Sequence, residues 1–154
     1  MCRTNSSLED PLEGHEFKLH TAEFAYAGAV DAALLIKESA AKAGINIKVV
    51  REPNDGYWSN VWRKKPWCMC SWSPRATEDM MFSVAYAEDA VWNDTHWKHV
   101  RFNQLLRDAR KELNDSKRRE MYWEMQQIVR DKGATVVHLF TDHVIAATSK
   151  LKFK

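Results

Sequence analysis

Residues 27–50, AGAVDAALLIKESAAKAGINIKVV, decide the fold because they join a helical pattern to a short β-branched run. The apolar positions that recur at helical spacing are Val30, Ala33, Leu34 and Ala41. Gly44 suits the left-handed conformation in which many helices end, and the alternation over 45–50 predicts a strand. Residues 17–20 also alternate, so the pattern predicts a strand–helix–strand unit with parallel strands and a right-handed crossover.

The rest of the chain continues to alternate between helical and extended patterns, which predicts an α/β domain with helices packed on a sheet. The predicted helices cover 57–62, 78–87, 100–113 and 116–132. The predicted strands cover 67–72, 134–140 and 144–147. Thr77 and Asp115 are expected to cap the helices that follow them, and Gly133 to end the last helix.

The composition is that of an ordinary globular domain. The chain has 154 residues, 45% of them apolar and 29% charged, with a net charge of +2. This charge is too small to indicate a nucleic-acid partner, and no apolar run approaches the ~20 residues of a membrane helix. We expect residues 1–16 to be a flexible leader and residues 17–154 a single lobe. Because the leader lacks the apolar stretch of a signal peptide, the polypeptide as it stands is expected to remain in the cytoplasm.

Tryptophan is the unusual component of the sequence. Of seven tryptophans, six fall between positions 58 and 97. A small core has difficulty enclosing so many indoles while also satisfying each N–H group. We therefore expect some of them to line a groove or an interface, with a fully buried set as the alternative.

Catalytic and metal-binding signals are weak. His96 and His99 have the spacing of two ligands on one helix face, but a capping or solvated role explains them equally simply. Cys68 and Cys70 are interpreted as buried thiols, since a lone CxC pair is poor evidence for a metal. The sequence contains no phosphate-binding glycine loop and no nucleophile elbow. We predict no cofactor and no enzymatic activity; a small metal-dependent enzyme is the least favoured alternative.

The order of motifs resembles a known family. The unit 27–50 is followed by GYW (56–58), a run ending at Trp72, WNDTHW (92–97), the pair of helices RFNQLLRDARKELNDSKRREMYWEMQQIV (101–129) and ATVVHLF (134–140). This pattern is similar to the C-terminal lobe of the family 5 solute-binding proteins of ABC importers, which serve dipeptides, oligopeptides and nickel. The resemblance implies one lobe of a class II periplasmic-binding-protein-like fold, with a mixed sheet flanked by helices.

The resemblance also implies a function and partners. The chain would be a fragment of a larger, two-lobed periplasmic protein that binds a peptide or a related small organic solute, including an anionic one. Its partners would be that solute and an ABC permease. The alternative is a free-standing α/β interaction module that forms homodimers through a tryptophan-rich face.

One position departs from the family pattern, in the stretch CSWSPRATEDMMF (70–82). Where peptide binders of the family carry an Asp that meets the ligand's α-ammonium group, this chain has Arg75. A guanidinium there suits a carboxylate, phosphate or sulfonate. The alternative is that Arg75 pairs with Glu78 or Asp79. The predicted ligand-binding residues are Trp72, Arg75, Thr77, Glu78, Asp79, Trp92, Asn93, Asp94 and Thr95.

Overall fold

A parallel strand–helix–strand unit opens the fold. The computed structural model describes residues 14–142 and 146–148. Strand β1 (Glu16–Thr21) pairs in parallel with β2 (Asn46–Arg51), and helix α1 (Ala29–Ala41) connects them. Gly44 follows the helix with a φ of 78°, a left-handed value that glycine adopts without strain. The α/β class and the parallel pairing predicted from the sequence are therefore confirmed. A mixed sheet was expected, and the strand pairs in the described residues are parallel.

The first hydrophobic core lies between this unit and the short helix α2 (Tyr57–Asn60). Its fully buried members include Leu19, Ala29 and Ala33, and Tyr57 is almost completely enclosed. The Tyr57 hydroxyl donates to the carbonyl oxygen of Met69 at 2.7 Å. That bond fixes residues 67–69 beside β1 and satisfies a polar group that burial would otherwise leave unpaired.

The strand predicted over 67–72 is wrong in extent. Only a parallel bridge between His20 and Cys68 is present, with backbone hydrogen bonds from His20 to Trp67 and from Met69 to His20. After Met69 the backbone becomes irregular because the side chains of residues 70–72 bond elsewhere in the fold. Ser71, for example, donates to the carbonyl oxygen of Ala25 at 2.8 Å.

The second hydrophobic core is built by the C-terminal half of the chain. Its elements are α3 (Glu78–Met81), a π-helical turn (Phe82–Tyr86), α4 (Val100–Ala109) and α5 (Asp115–Lys132). The rings of Phe82 and Phe102 meet edge to face, with centroids 5.2 Å apart. Phe102 and Met125 are fully buried, so α4 and α5 meet across well-enclosed apolar side chains.

Helices α3 and α4 begin at side-chain caps. The Thr77 side chain accepts a hydrogen bond from the Met80 N–H at 3.3 Å, as predicted. His99 caps α4 in the same manner, with Nδ1 accepting from the N–H of Phe102 at 3.2 Å. Capping is therefore the role that the structure gives His99.

The start and end of α5 differ in detail from the sequence prediction. Asn114 is the cap rather than Asp115, because its Oδ1 accepts from the Lys117 N–H at 3.1 Å and the helix already includes Asp115. Gly133 ends the helix as expected, but in an extended conformation. A Cβ atom at position 133 would collide with the carbonyl oxygen of Val129.

The strand predicted over 134–140 is also wrong, since these residues are irregular in the structure. No backbone ladder joins them to another described residue, and an apolar run without a neighbouring strand gains no sheet hydrogen bonds. Residues 144 and 145 of the predicted strand 144–147, and most of the predicted leader, lie outside the described residues. None of the helices in the described part of the chain combines the length and apolarity that a membrane crossing requires.

Candidate functional site

Four tryptophans form a continuous aromatic surface, which we call the indole row: Trp58, Trp62, Trp72 and Trp92. Successive ring centroids are 5.8, 6.4 and 6.3 Å apart, in edge-to-face or tilted arrangements that the ring quadrupoles favour. The row starts against the first core at Trp58 and ends at Trp92, whose surface is 45% exposed.

None of the seven tryptophans is fully enclosed. Trp58, Trp62, Trp67, Trp72 and Trp97 are half-buried, and Trp92 and Trp123 are exposed. The alternative of a fully buried set is wrong, and the prediction that some indoles line a groove or an interface stays a prediction. Partly exposed aromatic faces of this kind are available to a ligand.

The carboxylate of Asp94 holds the indole row in place. Its Oδ2 accepts a hydrogen bond from Trp62 Nε1 at 2.9 Å and from Trp72 Nε1 at 3.3 Å. The Cys70 thiol also donates to this oxygen, at 3.6 Å. Because an ionised acceptor strengthens each bond, one side chain orients two indoles and joins the loop before α4 to the segment after α2.

The thiols beside Asp94 are held in their neutral form. Burial and, to a lesser degree, the negative charge of Asp94 raise the pKa of Cys70 to about 12. The same two causes, in the same order, raise the pKa of Cys68 to about 11. Both cysteines are free and partly buried, so they behave here as packing groups rather than nucleophiles.

Arg75 lies on the turn that follows the indole of Trp72. Its Nη1 donates to the carbonyl oxygens of Ser73 at 2.8 Å and Pro74 at 3.3 Å. Within residues 14–142 and 146–148 it forms no ion pair with a carboxylate. The predicted alternative, pairing with Glu78 or Asp79, is therefore absent from the described part of the chain.

Asp79 is engaged elsewhere. Arg110 donates to both of its oxygens, at 2.8 and 3.2 Å, and the Tyr122 hydroxyl donates at 2.9 Å. Partial burial opposes ionisation of Asp79, but these hydrogen bonds outweigh it and lower the pKa of the carboxyl. Asp79 thus links α3 to α4 and α5, whereas Glu78 is exposed at the start of α3.

The loop over 93–97 is organised by two of the predicted site residues. The side-chain amide of Asn93 is buried and donates to the carbonyl oxygens of Ala87 at 3.2 Å and Trp97 at 2.8 Å. The Thr95 hydroxyl donates to Asn93 Oδ1 at 3.2 Å and accepts from the Trp97 N–H. Both side chains therefore shape the loop that presents Trp92 and Asp94.

The structure thus brings Trp72, Trp92 and Asp94 together and gives Thr77, Asp79, Asn93 and Thr95 contacts within the fold. Sequence reasoning did not include Trp58 and Trp62 in the site. Their spacing of four residues within the helix predicted over 57–62 was the available signal, since helical spacing places both rings on one face. In the structure α2 ends at Asn60, and Trp62 follows it. Sequence reasoning also missed Arg63, whose guanidinium carbon lies 5.7 Å from the Trp62 ring centroid.

Metal-ligand geometry is absent from the described residues, where no three His, Cys, Asp or Glu side chains cluster. His99 stacks on Trp97, with ring centroids 5.6 Å apart, while it caps α4. His96 is exposed and has a φ of 55°. The two imidazoles thus have different surroundings and do not form a shared site with a carboxylate.

Comparisons with solved structures support the fold. NikZ from Campylobacter jejuni, solved with Ni(L-His), matches with a TM-score of 0.62, 21% identity and 74% coverage of this chain. DppA from Helicobacter pylori, an ABC transporter-associated periplasmic binding protein solved with the peptide STSA, matches with a TM-score of 0.62, 19% identity and 77% coverage. AppA from Bacillus subtilis, an oligopeptide-binding protein solved with a nonapeptide, matches with a TM-score of 0.57, 19% identity and 77% coverage.

The chain spans about 24% of the length of each of these three structures. Its fold is therefore that of part of a lobe of an ABC-importer solute-binding protein, and the predicted resemblance is confirmed at the level of the fold. Neither a protein-family model nor a curated protein matches the sequence significantly.

Proposed function

We propose that the chain is the partial ligand-binding lobe of an ABC-importer substrate-binding protein. The indole row would form one wall of its binding site. The observation that carries this proposal is the partly exposed row itself, which Asp94 fixes and in which Trp72 is closely followed in the chain by Arg75. Aromatic faces beside a few polar groups are the usual lining of small-molecule sites, and a binding role needs no catalytic group.

The polar group available to a ligand is the guanidinium of Arg75. Its contacts in the described residues are with two carbonyl oxygens of its own turn, which leaves its charge uncompensated by any carboxylate there. A carboxylate ligand would accept paired hydrogen bonds from the planar guanidinium. Arg75 would therefore select the acidic end of a solute.

Peptides and small organic acids are the substrate class that this arrangement favours. The matched proteins were solved with Ni(L-His), the peptide STSA and a nonapeptide. A peptide presents a terminal carboxylate to Arg75 and apolar surface to the indoles. Of the predicted residues, Trp72, Trp92 and Arg75 would contact the solute, and Asp94 would position the indoles.

A titration of the chain with matched peptides tests this function. Intrinsic tryptophan fluorescence should respond more strongly to a tetrapeptide with a free carboxyl end than to the same peptide as its amide. Arg75→Glu should abolish the difference, because a carboxylate at position 75 repels the peptide acid. Arg107→Glu, at an exposed position on α4, is the matched control and should keep the preference.

Equal responses to acid and amide in the unaltered chain would contradict the role of Arg75. A preference that survives Arg75→Glu would contradict it too. An absence of any tryptophan response to either peptide would count against the indole row as a binding surface.

The wider setting follows from the same proposal. The intact protein would work in the periplasm, close a second lobe over the solute and deliver it to an ABC permease. Because one partial lobe supplies only some of the contacts, its affinity for the solute should be well below that of a two-lobed protein.

A further inference from the structure

The indole row ends at a ring that has an open side. At the other end, Trp58 packs against the first core, and the guanidinium of Arg63 lies over the ring of Trp62. Trp92 is 45% exposed, and within the described residues Trp72 is the one aromatic side chain paired with its ring. A further aromatic ring therefore has a free place beside Trp92.

The rings of the row meet edge to face or at a tilt. The planes of Trp62 and Trp72 meet at 71°, and those of Trp72 and Trp92 at 54°. Such arrangements place the positive edge of one ring near the negative face of the next. An aromatic ring of a ligand would continue this pattern at Trp92, whereas an aliphatic side chain of similar volume has no ring quadrupole to match it.

The place beside Trp92 is built before a ligand arrives. Asp94 accepts hydrogen bonds from the indole N–H groups of Trp62 and Trp72, at 2.9 and 3.3 Å, and so fixes both rings. The loop that carries Trp92 is held by the buried side-chain amide of Asn93, which donates two hydrogen bonds to backbone carbonyl oxygens. A preorganised wall loses little conformational freedom on binding, so differences between ligand side chains translate into affinity.

We infer that the site selects peptides whose C-terminal residue is aromatic, with Trp92 as the specificity-determining residue. This inference rests on the proposed function, in which Arg75 binds the terminal carboxylate. Two residues separate Trp72 from Arg75 in the chain, so their Cα atoms lie within about 11 Å of each other. A C-terminal phenylalanine, tyrosine or tryptophan carries its carboxylate and its ring on one residue and can therefore reach the guanidinium and the row together.

The charges of the site set the orientation of such a residue. Asp94 places a negative charge beside the indoles, and no Lys or Arg is among its hydrogen-bond donors in the described part of the chain. A ligand carboxylate is therefore repelled from the row and attracted to Arg75. The uncharged ring is then the part of the ligand that lies against the indoles, and the same repulsion disfavours a C-terminal aspartate or glutamate.

Titrations with matched tetrapeptides test the inference. The peptides Ala-Ala-Ala-X would carry phenylalanine, cyclohexylalanine or leucine at X, and intrinsic tryptophan fluorescence would give the Kd of each. The phenylalanine peptide should bind about threefold to tenfold more tightly than the cyclohexylalanine peptide, which has a side chain of similar volume without the ring quadrupole. The cyclohexylalanine and leucine peptides should bind with similar affinities.

Substitutions of Trp92 separate its ring from its bulk. Trp92→Leu should remove the preference for phenylalanine over cyclohexylalanine and retain the preference for a peptide acid over its amide. Trp92→Phe keeps an aromatic ring and should retain part of the preference for phenylalanine. Trp123→Leu removes another exposed indole, on α5, and is the matched control that should retain the whole preference.

The outcomes distinguish this inference from the function on which it rests. Equal affinities for the phenylalanine and cyclohexylalanine peptides in the unaltered chain would overturn the inference, while a preference for acid over amide would still support the proposed function. A preference for phenylalanine that survives Trp92→Leu would also overturn the inference, because another group would then select the ring. A chain that responds to no peptide acid would contradict the proposed function and this inference with it.

Discussion

At the scale of single residues, Asp94 has the most consequential contacts in the fold. Its Oδ2 is shared by two indole N–H groups and a thiol, so the arrangement of aromatic rings depends on one carboxylate. The negative charge of Asp94 also contributes to raising the pKa of the neighbouring thiols Cys68 and Cys70.

The pKa values of the two thiols therefore measure the effect of the Asp94 charge. Asp94→Asn removes a charge while keeping the side-chain shape, so the pKa values of Cys70 and Cys68 should both fall. Thiolate fraction changes tenfold per pKa unit, so iodoacetamide should react roughly threefold to tenfold faster at mildly alkaline pH. The measurement uses a Cys2→Ser background and follows the alkylation rate against pH.

The shape of that pH profile identifies the cause of any faster alkylation. A lost charge moves the rise in alkylation rate to lower pH, whereas a local opening increases the rate at every pH. Asp89→Asn, at an exposed position, is the matched control and should leave the profile in place. An unshifted profile in the Asp94→Asn variant would contradict the electrostatic coupling.

Asp79 makes stability depend on pH. The pKa of this carboxyl is lowered in the folded state from an ordinary value of 3.8. A depressed folded pKa contributes stability that is fully present above the unfolded pKa and is lost as the pH falls through the folded value. Asp79→Asn should therefore cost about 1 kcal/mol of unfolding free energy at neutral pH, and the difference should shrink below about pH 4.

Urea unfolding at a series of pH values checks this expectation. Asp55→Asn, in an exposed turn, serves as the matched control and should change little at any pH. If the cost of Asp79→Asn were the same at acidic and neutral pH, the contacts with Arg110 and Tyr122 would not depend on the charge of the carboxylate.

At the scale of elements, the α3 helix depends on its cap. It has one α-helical turn, Glu78–Met81, before the π-helical turn begins, so the Thr77 cap supports a large share of it. Thr77→Ala should cost about 1 kcal/mol, because the Met80 N–H loses its acceptor. Thr77→Ser keeps the hydroxyl and should retain most of the stability in thermal unfolding. Equal losses in both variants would show that the methyl group matters rather than the cap.

The same elements show what the sequence can predict. Helices α1, α4 and α5 and both strands were predicted because their apolar positions recur with the period of the structure they form. Residues 67–72 and 134–140 have equally strong strand patterns and form at most a bridge. Whether a β-branched run becomes a strand depends on a neighbour to pair with, and local sequence does not contain that information.

Side-chain contacts across the chain were harder to predict. The segment ending at Trp72 and the loop around Trp92 were both identified, but not that Asp94 would join them. The pairing of Asp79 with Arg110 is equally remote in sequence. Such contacts require the relative placement of two cores, which spacing along one element does not encode.

At the scale of the whole molecule, the described residues form two hydrophobic cores. One core contains the sheet and α1, and the other contains α4 and α5. Asp94 joins the loop before α4 to Trp62 and Trp72 on the side of the first core.

Apolar side chains are also exposed near the end of the described residues. Val136 is 71% exposed and Phe140 is 93% exposed. Apolar groups exposed together commonly mark an interaction surface.

The central claim is that the indole row faces a ligand, and fluorine NMR of the chain labelled with 5-fluorotryptophan tests it most directly. The seven tryptophans give separate probes, assigned by single Trp→Phe variants. On titration with carboxylate-ended tetrapeptides to millimolar concentrations, we predict saturable shifts at Trp72 and Trp92 and none at Trp123, which lies on α5 and is 61% exposed. Unmoved resonances at Trp72 and Trp92, or equal shifts at all exposed indoles, would contradict the account.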